Sequence, residues 1–106
     1  MLDMDNVKIL MQWDIKDGRD QDYFEFVVRE FVPGIGKLGL EPTGAWYTAY
    51  SSEYTPQIMA EFIADDLESI RRILSSPEWE RLKSRLLTHI DNYSHKVVRV
   101  SGGFQL

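Results

Sequence analysis

The chain has 106 residues and none of them is cysteine. A disulfide scaffold, a thiolate metal site and a cysteine nucleophile are therefore excluded, and the absence fits the reducing cytosol. No apolar run approaches the ~20 residues that a membrane-spanning helix needs. The first five residues carry acids where a signal peptide carries basic residues. We therefore predict a cytoplasmic protein with no membrane partner.

Basic residues are also few: the chain has 12 Lys and Arg and 17 Asp and Glu, so its net charge is −5. A nucleic-acid-binding domain usually has a basic face. The most basic stretch, residues 71–85, is interleaved with Glu78 and Glu80, a pattern typical of a solvated helix face. No nucleic-acid partner is predicted.

Histidine is scarce, and only His89 and His95 are present. A metal site needs about three converging protein ligands, so this pair does not predict one. Gly34-Ile35-Gly36 lacks the third glycine and the preceding strand of a dinucleotide-binding loop. The sequence therefore predicts neither a metal nor a nucleotide cofactor.

The chain does contain apolar residues in periodic patterns, and 43% of it is hydrophobic. Alternation with period two predicts a strand over residues 7–15. Aromatic and β-branched runs predict three more strands. They cover residues 45–50, 57–63 and 93–100.

Two helical regions separate these strands. Phe24, Val27, Val28 and Phe31 form one helical stripe, and Gly39 is placed to end that helix. Proline and glycine at 33–36 should weaken its second half and leave space beside it. A second region begins with Asp65 as its cap and restarts at Ser76-Pro77.

The order βαββαβ predicts an α+β fold, a ferredoxin-like sandwich formed by one domain over residues 1–106. Right-handed crossovers place both helices on one face of a four-stranded antiparallel sheet. The other face has no cover, yet the later strands are apolar on both parities, as at Met59 and at Val97-Val98. A monomer seldom exposes such a patch, so we predict a homodimer packed through its sheet faces.

Several short motifs are spread along the chain: Lys16-Asp17-Gly18, Gly39-Leu40, Gly44, Asp66-Leu67, Arg71-Arg72 and Ser75-Ser76-Pro77-Glu78-Trp79. Together they resemble the dimeric α+β barrel superfamily. The last of these motifs looks like the turn of NIPSNAP-like members. Other members are antibiotic-biosynthesis-type monooxygenases, muconolactone isomerase and heme-degrading monooxygenases. The resemblance implies a dimeric barrel, while Ile73 and Lys83 stand where heme-degrading members have Trp and His.

Two residues are candidates for acid–base chemistry. Glu61 is a charge inside an apolar strand: burial would raise its pKa and suit it to catalysis, or it pairs with Arg99 or Lys96 across the sheet. His95, on the last strand, is either a general base or a histidine hydrogen-bonded at an edge. The sequence leaves both alternatives open.

An aromatic group marks the expected ligand pocket. We predict that Trp13, with Trp46 or Tyr47, lines a cavity against Phe24 and Val28 of the first helix. One hypothesis is a small-molecule-binding homodimer, a cofactor-independent monooxygenase or isomerase acting on a planar apolar substrate. The alternative is a non-catalytic binding or assembly protein of NIPSNAP-like type, in which the aromatics only pack.

Overall fold

The computed structural model describes residues 7–48 and 56–99. Its strands and helical regions follow one another in the predicted order βαββαβ. They are β1 Val7–Ile15, α1 Asp20–Phe26, a π-helical turn Val27–Phe31, α2 Val32–Leu38, β2 Glu41–Tyr47, β3 Ile58–Ala64, α3 Leu67–Leu74, α4 Pro77–Leu86 and β4 Ile90–Arg99. The predicted ends of two strands, Tyr50 and Val100, lie outside the described residues. No helix in the described ranges has the length and hydrophobicity to cross a membrane.

The sheet confirms the predicted fold. Its strand order is β2-β3-β1-β4, and every neighbouring pair is antiparallel. This is the order of a ferredoxin-like βαββαβ sandwich. The odd-numbered residues of β1 and the even-numbered residues of β3 are buried under the helices.

The first helical region runs without a break from α1 through the π turn into α2. The π turn ends at Phe31, two residues before Pro33, whose ring in a regular α-helix would meet the carbonyl of residue 29. Here the Val32 N–H bonds to the Val27 carbonyl, five residues back. The wider turn therefore accommodates the proline, and Gly39, with a φ of 109°, ends the helix as predicted.

The π turn also changes which side of the helix is buried. Tyr23, Phe26 and Phe31 are buried, whereas Phe24 is 46% exposed and Val28 is 68% exposed. The predicted stripe through Phe24 and Val28 is wrong because it assumes 3.6 residues per turn throughout. One π turn takes up an extra residue and shifts the helix phase before it.

The second helical region has two capped helices. The Asp66 side chain accepts a hydrogen bond of 2.8 Å from the Ser69 N–H, so the cap lies one residue after the predicted Asp65. Ser76 caps α4 as predicted, accepting from the Trp79 N–H at 3.1 Å, with Pro77 in the first turn.

The face of the sheet away from the helices, called the open face below, has a mixed surface. Trp46, Met59 and Gln12 lie side by side across three strands of it. Val98 lies opposite Lys8 on this face, whereas Val97 lies opposite Ile9 and points to the helix side. The two valines therefore do not share a face, and the open face carries apolar, neutral polar and charged side chains.

Candidate functional site

A cavity of about 290 Å³ lies between the sheet and the first helical region. Helix α1 and the π turn form one wall, and strands β1, β2 and β3 form the other. The lining residues are Trp13, Tyr23, Val27, Phe31, Val32, Pro42, Gly44, Ala45, Ile58, Ala60 and Phe62. We call this the helix-side cavity. Its volume is at the lower end of what small-molecule sites have.

Small residues on the sheet leave the space open. Ala45 lies opposite Ala60 on the helix side of β2 and β3, and both side chains are single methyl groups. The register of β2 shifts between Pro42 and Gly44, a β-bulge at Thr43. The register shift lies between two residues of the lining, Pro42 and Gly44.

One polar pair interrupts the apolar lining. The indole Nε1–H of Trp13 donates a buried hydrogen bond of 2.9 Å to the Tyr23 hydroxyl oxygen. Burial raises the pKa of Tyr23 to about 12, and the bond from Trp13 opposes this in part. The phenol is therefore neutral at physiological pH. Among the described residues, no acceptor is found for the phenol's own proton.

Packing fixes the position of the Trp13 indole. Its ring meets Phe31 edge-on, with centroids 6.0 Å apart, and stacks on Tyr93 at the same distance. Contacts on two sides and a hydrogen bond at Nε1 leave the indole one orientation. The Tyr23 oxygen that accepts from it is fixed with it.

The predicted pocket residues are only partly brought together. Trp13 lines the helix-side cavity, but Phe24 and Val28 are exposed and do not line it. Tyr47 faces the helix side opposite Ile58, and its ring lies 6.5 Å from that of Phe24, outside the lining. Trp46 points to the open face.

Sequence reasoning missed Tyr23, the polar residue of this lining. A signal for it exists, because Tyr23, Phe26 and Val27 have the i, i+3, i+4 spacing of a helical stripe. The competing stripe from Phe24 has the same spacing, and periodicity alone does not separate the two.

Glu61 lies on the open face and is paired. Its carboxylate accepts a hydrogen bond of 2.7 Å from the Thr43 hydroxyl and lies 3.3 Å from Lys8 Nζ. The Thr43 bond, aided by Lys8, holds the pKa of Glu61 below its ordinary value. Of the two alternatives for Glu61, pairing with a cation is the one observed, and the cation is Lys8 instead of Arg99 or Lys96.

His95 lies on the other side of the sheet from Glu61. It pairs with Met11 in the register, and its Nδ1 is 2.9 Å from the Tyr93 hydroxyl. Partial burial and the charge of Lys83 lower the pKa of His95. Neither His95 nor Glu61 lines the helix-side cavity. A catalytic role for either stays a prediction.

The open face has a groove of its own, about 300 Å³ in volume. Its lining residues are Leu10, Met11, Gln12, Trp46, Met59, Ala60, Ser94, His95 and Lys96. In the described residues, no three His, Asp or Glu side chains are placed to hold a metal ion.

No protein-family model and no curated protein sequence matches the chain, whereas solved structures do. A NIPSNAP family protein from Agrobacterium tumefaciens matches with a TM-score of 0.65 and 15% identity over 88% of this chain and 90% of that one. SnoaB from Streptomyces nogalater, described as a cofactor-independent oxygenase, matches with a TM-score of 0.62 and 14% identity over 88% of this chain and 90% of that one.

A hydroxynitrile lyase from Passiflora edulis matches with a TM-score of 0.76 and 6% identity over 96% of this chain and 99% of that one. A dimeric ferredoxin-like protein of unknown function from Thermobifida fusca matches with a TM-score of 0.66 and 10% identity over 94% of this chain and 95% of that one. The chain has the ferredoxin-like fold of these proteins. This confirms the fold that the resemblance implies, and a fold by itself does not select a reaction.

Proposed function

We propose that the chain is a small-molecule-binding homodimer that takes a planar apolar ligand into the helix-side cavity. The observation that carries this is an open space of about 290 Å³ whose apolar lining contains the polar pair Trp13 and Tyr23. Ligand sites combine an apolar wall with a few placed polar groups. In a protein that uses these aromatics only for packing, side chains would fill the space.

The dimer we propose packs open face on open face. Strands of 9, 7, 7 and 10 residues form that face, and it can bury roughly 800 Å² per partner, the area of a standard stable interface. Met59 on the interior strand β3 is 40% exposed in one chain, and Trp46 beside it on the edge strand β2 is 55% exposed. A second copy would remove both from water. The dimeric neighbour from Thermobifida fusca supports a dimeric state for a chain of this fold.

The chemistry we propose for this site is a cofactor-independent oxygenation or isomerisation in the cytoplasm. Support comes from the likeness to SnoaB and from the apolar walls of the cavity, which keep water from a reactive ligand. The hydroxynitrile lyase with the same fold supports catalysis more generally. Each of these reactions begins with binding of the ligand, and the geometry of the cavity supports that binding step.

Filling the cavity tests the proposal. Ala45 lies at its mouth on an exposed part of β2, so Ala45→Phe adds a ring to the space without overpacking the core. Isothermal titration with indane, a small planar hydrocarbon, should show binding to the unmodified protein and at least a tenfold loss in Ala45→Phe.

The matched control is Val28→Phe, which adds the same ring on the outer side of the helix. Its affinity for indane should equal that of the unmodified protein. Equal affinities in all three proteins, or no binding up to millimolar indane, would show that the helix-side cavity is not the ligand site.

A further inference from the structure

We propose that the Tyr23 hydroxyl is the specificity-determining hydrogen-bond donor of the helix-side cavity, and that it selects planar apolar ligands bearing a carbonyl oxygen. This inference rests on the proposed function, since it names the ligand class of the same cavity.

The direction of the hydrogen bond between Trp13 and Tyr23 carries the inference. An indole N–H can only donate, so the phenol oxygen must be the acceptor in the 2.9 Å bond. The phenol retains one proton of its own, and the described residues offer it no acceptor. A buried donor without a partner is costly, so this proton stabilises a ligand that accepts it.

The remaining lining decides what kind of acceptor fits. Apart from Trp13 and Tyr23, every lining residue is aliphatic, aromatic, proline or glycine. No charged side chain in the lining offsets a charged ligand, and burying an unpaired charge is very costly. A neutral carbonyl on a flat apolar ring system satisfies the donor and matches the walls.

A matched ligand pair tests the inference. Indane and 1-indanone have the same bicyclic frame and differ by one carbonyl oxygen. Isothermal titration of the unmodified protein should show 1-indanone binding about two- to tenfold more tightly, the range of one net hydrogen bond. In Tyr23→Phe this preference should vanish, while the affinity for indane stays within twofold.

Tyr93→Phe is the matched control, because it also removes a phenol hydroxyl from a ring that packs against Trp13. Unlike Tyr23, Tyr93 does not line the cavity. This variant should keep the full preference for the ketone. The carbonyl stretch of bound 1-indanone gives a second measurement: it should lie at lower frequency in the unmodified protein and in Tyr93→Phe than in Tyr23→Phe.

The outcomes separate the two proposals. If neither ligand binds, the cavity is not a ligand site and the proposed function is wrong. If both ligands bind the unmodified protein equally, the cavity is still a ligand site, but the proposed role of Tyr23 is wrong. That comparison needs no variant, so it decides the matter even if Tyr23→Phe does not fold.

Discussion

Replacing Met59 with glutamate should dissociate the proposed dimer. Met59 lies on central strand β3, between Gln12 of β1 and Trp46 of β2, and faces the open side. Neither neighbour can neutralise a carboxylate. Val98 is a poorer choice, because Lys8 lies directly opposite it and would pair with a new acid there. Met59→Glu therefore tests the interface with an unpaired charge.

The size of the effect follows from symmetry. Burying an ion without a partner costs several kcal/mol, and a two-fold dimer buries two copies of it. With about 3 kcal/mol for each, the dimer loses about 6 kcal/mol, a factor of more than 10⁴ in its dissociation constant. In the separate chain Met59 is 40% exposed, so folding itself should change by about 0.5 kcal/mol or less.

Light scattering after size-exclusion chromatography measures the outcome. The unmodified protein should elute at twice the 12.4 kDa chain mass at micromolar concentration, and Met59→Glu should elute at the chain mass or aggregate. Val97→Glu is the control: Val97 has similar exposure, 37%, but points to the helix side, so its dimer should persist. A dimer that survives Met59→Glu, or a monomeric unmodified protein, would refute the open face as the interface.

Two further predictions concern stability. Tyr23→Phe leaves the buried Trp13 N–H without an acceptor and should lower the free energy of unfolding by about 1–3 kcal/mol in urea titrations. Tyr93→Phe, whose lost hydroxyl contacts an exposed histidine, should cost less, and equal costs would contradict the importance of the Trp13–Tyr23 bond. Because the bond from Thr43 lowers the pKa of Glu61 in the folded chain, ionised Glu61 adds stability above its ordinary pKa of 4.5. That stability is lost as the pH falls through the lower pKa that Glu61 has in the folded chain. The difference in free energy of unfolding between the unmodified protein and Glu61→Gln should therefore shrink on acidification. A difference that grows would contradict the lowered pKa of Glu61.

The sequence predicts the fold well where local patterns and tertiary structure agree. The strict alternation of β1 places Trp13 on the helix side, and Gly39 ends its helix in the left-handed conformation that favours glycine. Ser76-Pro77 opens α4 as its chemistry requires. Each of these features depends on a few neighbouring residues, which is why the order of elements is correct along the chain.

The candidate site is less predictable because it depends on register. Tyr47 and Trp46 are both aromatic, and only the pairing of β2 with β3 decides which of them faces the helices. The partner of Glu61 is likewise set by the pairing of β1 with β3, which places Lys8 beside it. Cross-strand neighbours are far apart in sequence, so alternation gives two equivalent choices and no means of choosing between them.

The π turn determines that the cavity has its polar group. Tyr23 and Phe31 are eight residues apart, and at 100° per residue an unbroken α-helix would point them about 80° apart. If the π turn takes up one residue, seven regular steps remain and the two directions differ by only about 20°. Both side chains therefore reach the same cavity, with Trp13 between them. The turn that accommodates Pro33 thus also places the phenol inside, and this agrees with the frequent occurrence of π turns at functional sites.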